Sequence, residues 1–448
     1  MSASSSNRYE KYWGSTMGNI KNLSASTKFK NTPIGEIPVD WGAVKLGEVA
    51  EIGAGDSAPQ DAKYFENGTH LFIRTSDVGK TGKSHRFGVS EDRLNDLAVQ
   101  ELRLKQWPKG TILFPKSGAS TFLNHRVLLS ERAYVSSHLA AIVANNNSVP
   151  EFLYYYLSTI DAKSLVSDTN YPSLRLGDLA AIHVPLPPLP EQEKIAEVLT
   201  SVDDTIEKTQ QLIDQTKILQ NSVMHELLIH GISGLHKKFK KTILGEIPAE
   251  WNITRLGDVV EIGSGDSAPQ DARYFENGTH LFIRTSDVGK VGRSHRFGFS
   301  EDKINEVAIN ELGLRQWPKG TILFPKSGAS TFLNYRVLLS EPAYVSSHLA
   351  TIVANTHSMA EFLYYYLLTI DAKSLVPDTN YPSLRLGDLE AIRIPLPPYQ
   401  EQKRIAELLY TYDDNLFHLT SFNSQLEVLK EGLMQNLLSG RIRIIRRE

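Results

Sequence analysis

The chain has 448 residues, enough for two or three domains at about 100–200 residues each. Hydrophobic residues make up 41% and charged residues 22%, the balance of a globular protein. The formal net charge of −3 argues against indiscriminate coating of nucleic acid, and the lack of cysteine excludes disulfides and thiolate metal sites. No run of about 18 apolar residues is present, and the Ser-rich start lacks the apolar core of a signal peptide, so a cytoplasmic protein without a membrane partner is expected.

Residues 1–27 have no counterpart later in the chain and read as a disordered or weakly docked arm. A long repeat begins at Lys28. Trp41 and Trp251, Trp107 and Trp317, and Tyr171 and Tyr381 each lie 210 residues apart. A period this long marks duplicated domains rather than a solenoid. In the first copy His70–Arg74, Thr111–Phe114, Arg126–Leu129 and Leu139–Val143 read as strands, and Pro150–Leu157 as a helix with proline in its first turn. Gly53 to Gly55, Asn67-Gly68, Gly79 to Gly82 and Asn145 to Asn147 read as turns or loops. The expected fold is α+β with a mostly antiparallel sheet.

Val184-Pro-Leu-Pro-Pro-Leu-Pro-Glu-Gln-Glu-Lys-Ile-Ala-Glu197 leads into a periodic segment, and Ile394 to Glu407 repeats it. The prolines exclude helix and central strand there and hold the globular domain off the helix at a fixed angle. Leu199, Val202, Ile206 and Ile213, then Leu212, Leu219, Val223 and Leu227, form one stripe. Leu409, Tyr412, Leu416, Leu419, Leu426, Leu429, Leu433 and Leu437 form the other, with the polar Asn423 in the seam. Each helix of about 38 residues would span about 57 Å and needs a partner, for which the other copy is the obvious choice. The expected architecture is two similar globular domains, residues 28–185 and 238–395, separated by long helices in 186–237 and 396–448. The helices form an antiparallel coiled coil with a pseudo-two-fold axis, and a basic tail ends the chain.

Catalytic motifs are wanting. Asp77 to Ser84 lacks the first glycine of a phosphate-binding loop, and its copy loses the lysine. Glu191 to Lys194 suits a helix start rather than a nuclease carboxylate set. Histidines are scattered singly. The basic and polar loops suit DNA instead. Arg74, Lys80, Lys83, His85 and Arg86 cluster around one acid. Lys116, Ser117, Asn124 and Arg126 surround a Gly/Ser loop open to phosphate, and Asn170, Tyr171 and Arg175 add amide, hydroxyl and guanidinium groups. Their second-copy counterparts are Arg284, Lys290, Arg293, His295, Arg296, Lys326, Ser327, Asn334, Arg336, Asn380, Tyr381 and Arg385. Tyr64 to Lys80 is identical to Tyr274 to Lys290, and Gln106 to Asn124 to Gln316 to Asn334, whereas the helices diverge. A shared ligand for the two globular domains accounts for that contrast.

Leu176-Gly-Asp-Leu179, Val184 to Glu197 and Val202-Asp-Asp204, with their copies Leu386 to Leu389, Ile394 to Glu407 and Tyr412-Asp-Asp414, resemble the specificity subunit of Type I restriction-modification systems. The opener Ile34 to Trp41, repeated as Leu244 to Trp251, is similar too, so that the resemblance covers about residues 28–448. It implies a non-catalytic reader of double-stranded DNA, with two target-recognition domains on a split site and helices that dock two methyltransferase subunits. Restriction subunits join the full complex. The resemblance further implies that no cofactor belongs to this chain and that S-adenosylmethionine, ATP and magnesium sit on the partner subunits. Near-duplicate readers imply an interrupted palindrome, with His125 versus Tyr335 and Thr81 versus Val291 as positions able to break the symmetry. Readers at the two ends of such a helix pair would stand one to two duplex turns apart, at about 34–36 Å per turn. The competing readings are a DNA-binding or antirestriction regulator on the same scaffold, a tandem structural or carbohydrate-binding module, and an enzyme of unrecognised chemistry.

Overall fold

The computed structural model describes residues 28–80, 86–88, 90–166, 172–376 and 383–444. The expected arm of residues 1–27 lies outside them. The chain divides into two compact units, Met1–Gln211 with Thr420–Glu448, and Leu212–Leu419. Each unit therefore contains one globular domain, the first part of one long helix and the last part of the other.

In the first unit a five-stranded sheet runs Ala50–Ala54, Leu139–Ala144, Ile112–Pro115, Val127–Leu129, Arg86–Phe87. A four-stranded sheet runs Arg93–Leu94, His70–Ile73, Ala133–Val135, Gln106–Trp107. Most pairs are antiparallel, as expected, but each sheet holds one parallel pair: Val127–Leu129 with Arg86–Phe87, and Ala133–Val135 with His70–Ile73. The strand Ile112–Pro115 explains the layering. Alternate side chains of a strand face opposite ways. Ile112 and Phe114 join a core with Trp41, Phe152, Tyr155 and Leu199, while Leu113 joins Leu71, Ile73 and Trp107 on the other face. Gly53, expected in a turn, lies within a strand, because a Cβ there would meet the Trp107 ring at 2.5 Å. The second unit repeats this plan, with Val260–Ser264, Leu349–Ala354, Ile322–Pro325, Arg336–Leu339 and Arg293–Phe297 as its larger sheet.

The proline-rich lead-in shows how domain and helix are joined. His183–Leu186 pairs antiparallel with Gly42–Lys45, placing Pro185 opposite Ala43 in a two-stranded ribbon where proline costs no central ladder bond. The helix Leu189–Ile229 starts directly after it. Gln192 is fully buried. Its amide oxygen accepts from Val149 N–H at 2.9 Å, and its amide nitrogen donates to Pro187 O at 2.9 Å and Asn147 O at 3.2 Å. Glu191, also buried, accepts from Trp41 Nε1 at 3.0 Å. Its charge is met by Arg443, whose Nε and Nη2 donate at 2.6 and 2.8 Å, and the same guanidinium holds Asp40. In the second unit, where the second long helix Tyr399–Leu437 starts, Gln402 and Glu401 repeat these contacts with Met359, Pro397 and Trp251. There His236 Nε2 lies 2.6 Å from the Glu401 carboxylate. Removing one partner of such a buried pair typically costs about 3–5 kcal/mol.

The helix parts pair antiparallel inside each unit. In the first, Asp203 meets Lys430 at 2.6 Å and Gln210 meets Asn423 at 3.4 Å, so one helix advances seven residues as the other retreats seven. Val202, Ile206, Leu426 and Leu433 fill the seam beside those pairs, and Asn423 is buried, as its heptad position predicts. In the second unit Gln220 bonds Asp413, and Met224, Leu227 and Leu228 pack with Ile405 and Leu409. Leu212 and Leu219, expected in the seam, are about half exposed. They follow the other edge of a helix whose apolar stripe is narrow.

The Arg443 clasp has a pH signature. The hydrogen bond from Arg443 holds the Asp40 carboxyl below its ordinary value. Its stabilisation is thus complete above the unfolded carboxylate pKa of about 3.9 and is lost as pH falls through the lower folded value. Because the Asp40 side chain is 49% exposed, Asp40→Asn is expected to cost only about 0.5–1 kcal/mol at neutral pH. Urea midpoints measured across pH should show that deficit shrink as pH falls below about 3.9; a deficit constant with pH contradicts the assignment.

Candidate nucleic-acid interface

The Gly/Ser loop is built on the end of the central strand. After Pro115 the chain leaves the sheet. Lys116 N–H donates to His138 O at 2.9 Å, and Leu174 N–H donates back to Lys116 O at 2.7 Å. Ser117 bridges Ser173, and its hydroxyl lies 2.8 Å from His138 Nδ1. Gly118, at φ +79, turns the backbone into a short helical turn, Ala119–Leu123, with open space where a side chain would stand. Asn124 closes that turn in the left-handed conformation, at φ 53. The second unit repeats the loop: Leu384 N–H donates to Lys326 O at 2.8 Å, and Ser327 bridges Ser383. Lys116, Lys326, Arg175 and Arg385 have no ion-pair partner among the described residues, and both arginines are exposed. The segment Thr75–Lys80 packs beside the Ala119–Leu123 turn. Two lysines that sequence reasoning passed over belong to this face. Lys163 Nζ stands 6.0 Å from the Phe122 ring centre, and Lys373 Nζ stands 5.9 Å from that of Phe332; both lysines are exposed. The identity of Asp161 to Val166 with Asp371 to Val376 was the available signal.

Other expected DNA contacts have internal duties. Arg126 and Arg336 are 6% and 0% exposed, each with its guanidinium flat over a phenylalanine, Phe114 at 3.4 Å and Phe324 at 3.3 Å. Their Nη2 groups donate to Ile160 O and Ile370 O. Burial pushes each guanidinium pKa down to about 9, so both stay charged at neutral pH as internal braces. Neither can reach a ligand on the surface. Asn124 and Asn334 spend their amides on Asp161 and Ala162, and on Asp371 and Ala372. Those hydrogen bonds lower the pKa of Asp161 and Asp371. Arg74 and Arg284 pair with Asp92 and Asp302, and Lys290 with Glu301.

A further group turns from the loops to the helices. Arg86 faces Asp204 at 3.6 Å. Arg296 lies over the Tyr410 ring at 4.4 Å, and His295 Nδ1 is 3.1 Å from Asp413. These residues belong to the joint between domain and helix. Arg293 is exposed on the strand beside Arg336. Lys83, His85, Asn170, Tyr171, Asn380, Tyr381 and the Lys80 side chain lie outside the described residues. So does Thr81 of the pair expected to break the symmetry, whereas His125 lies beside Gly79 and Tyr335 packs against Gly292.

What the described part of each face offers is lysines and arginines with free charge, a serine and open glycine backbone. That chemistry suits phosphate contact and hydrogen bonding to base edges. No cluster of three or more metal-binding side chains occurs among the described residues. The expected outcome of Lys116→Ala with Lys326→Ala is weaker DNA binding with the salt slope reduced by about 2, one per lost phosphate contact. Arg126→Ala should instead lower the unfolding midpoint. Titration of a labelled duplex at several salt concentrations separates the two classes, and an unchanged slope for the lysine pair removes Lys116 and Lys326 from the interface.

Comparison with known proteins places these features in a family. The family model "Type I restriction modification DNA specificity domain" matches residues 38–217 and again 248–430. The Type I restriction enzyme MjaIX specificity subunit of Methanocaldococcus jannaschii is 26% identical over 436 residues, covering 93% of this chain and 97% of that protein. The EcoDI specificity subunit of Escherichia coli is 22% identical, covering 85% and 84%. In structure, the S subunit of the Type I restriction-modification system of M. genitalium aligns with TM-score 0.60 at 16% identity, over 94% of this chain and 98% of that one.

Proposed function

Because the chain belongs to the family of Type I restriction-modification DNA specificity subunits, non-catalytic components that supply sequence specificity, we propose how its two units divide the reading of DNA. Each unit reads one half of a split duplex target, and the two halves have the same sequence in inverted order. The observation that carries this is the identity of the reading loops. The Lys116 to Asn124 loop and its Lys326 to Asn334 copy match residue for residue, and the bonds that shape them recur. Equal loops on equal supports present equal donors to base edges, so they select equal half-sites. In this reading the two readers meet the duplex with opposite polarity. The helices act as a spacer, and the gap between half-sites becomes part of the recognised signal.

The helices also carry the partners in this reading. Two methyltransferase subunits dock along them and the adjoining joints, bringing S-adenosylmethionine, and restriction subunits join with ATP and magnesium. No helix among the described residues is long and apolar enough to cross a membrane. The work is assigned to the cytoplasm, where the DNA lies.

Selection from random duplex DNA, with the methyltransferase subunits present, should enrich one short sequence twice, inverted, at a fixed gap. Removing one facing heptad from both long helices should shorten the preferred gap. Two unrelated half-sites would overturn the inverted-repeat reading, and a gap unchanged by the deletion would overturn the spacer role.

A further inference from the structure

One difference between the two joints lies where the domain meets the helix. In the second unit Tyr410, on the second long helix, packs edge-on against His295, with ring centres 4.5 Å apart, and its face lies under the Arg296 guanidinium at 4.4 Å. The matching position in the first unit is Thr200. A hydroxyl replaces a ring, and the first unit has a cavity of about 500 Å³ there, lined by Glu151, Glu193, Glu197, Asp204, Arg86 and Lys208 around Thr200. That volume falls in the roughly 300–1,000 Å³ range of ligand pockets. Among the described lining residues four carboxylates face two cations, and Lys194 beside them pairs with Glu197. The charge at the rim also differs between copies, since Glu193 is matched by Lys403.

We propose that this groove receives an aromatic side chain flanked by basic residues, presented by the methyltransferase subunit that docks on the first unit. The proposal rests on the partner reading above. The second unit's own Tyr410 shows what the slot accepts: a ring that lies against a guanidinium beside the paired aspartates. The surplus of carboxylates in the first unit selects a basic frame around that ring, which Lys403 would disfavour in the second. Aromatic anchors in half-enclosed slots commonly dominate an interface. The two methyltransferase subunits are then held by unlike contacts, and one site fills more tightly than the other although the readers are alike.

The test uses the full chain with its methyltransferase subunits, with assembly followed by native mass spectrometry over a concentration series. Thr200→Tyr copies the chain's own second-unit residue and fills the slot. It should weaken one of the two methyltransferase subunits by about tenfold or more, the scale of a lost hot-spot contact, and leave the other unchanged. Glu193→Lys, an exposed change that copies Lys403, should act in the same direction by charge alone, which guards against a packing defect in the first variant. Assembly unchanged in both variants overturns the inference while the partner reading stands. A wild-type chain that takes up no methyltransferase subunit overturns the partner reading and the inference with it. Tighter uptake on removing residues 1–27, abolished by Thr200→Tyr, would show that this chain's own Tyr12 and Trp13 segment is the occupant, and that too overturns the inference.

Discussion

The structure depends on a buried Glu-Gln pair at the start of each long helix. Gln192 and Gln402 satisfy backbone groups of the preceding loop and of the globular domain, and Glu191 and Glu401 accept from the indole of the domain's opening tryptophan. A buried carboxylate needs a compensating charge. The first unit supplies it with Arg443 from beyond the end of the second long helix; in the second unit His236, from beyond the end of the first, hydrogen-bonds Glu401. One acidic side chain thus ties together a domain, the helix that leaves it and the segment that returns along it. A second acid repeats the device a few turns on. Asp203 takes Tyr155 and Lys430, and Asp413 takes Tyr365, His295 and Gln220. Burial, with these aspartates adding to it, raises the pKa of both tyrosines, so they stay protonated as donors.

Such a joint would suit a reader whose spacing is part of its signal, as proposed above. A flexible hinge would let each domain wander and blur the gap. Here the lead-in ribbon, the buried amide and the carboxylate fix the domain on its helix without using any residue of the reading loops. Recognition and assembly can then diverge independently. The loops stayed identical between copies, while the helix surfaces changed to Thr200 against Tyr410 and Glu193 against Lys403.

Much of the fold is legible in the residues. The 210-residue period gives the duplication, and alternation gives the strands around Ile112 and Leu139. The heptad leucines give the long helices, to within a few residues of Leu189–Ile229 and Tyr399–Leu437. The site is less legible, because an isolated arginine carries no sign of which way it points. Arg126 reads as a loop cation, yet its guanidinium lies flat on Phe114, as that of Arg336 lies on Phe324. Arg296 and His295 read as DNA ligands in a basic run, yet their strand aims them at Tyr410 and Asp413. The contacts that hold the first joint span 150 and 252 residues, Trp41 to Glu191 and Glu191 to Arg443, and no local pattern reports a pair that distant.

The central claim is that both domains read the same half-sequence. It is tested most directly by a chain in which residues 28–185 also replace residues 238–395, assembled with its methyltransferase subunits and challenged with the natural target. The account requires the same two half-sites at the same gap, bound with unchanged preference. Loss of one half-site, or a new sequence in its place, would show that the few differences between the copies set distinct specificities and would contradict the account.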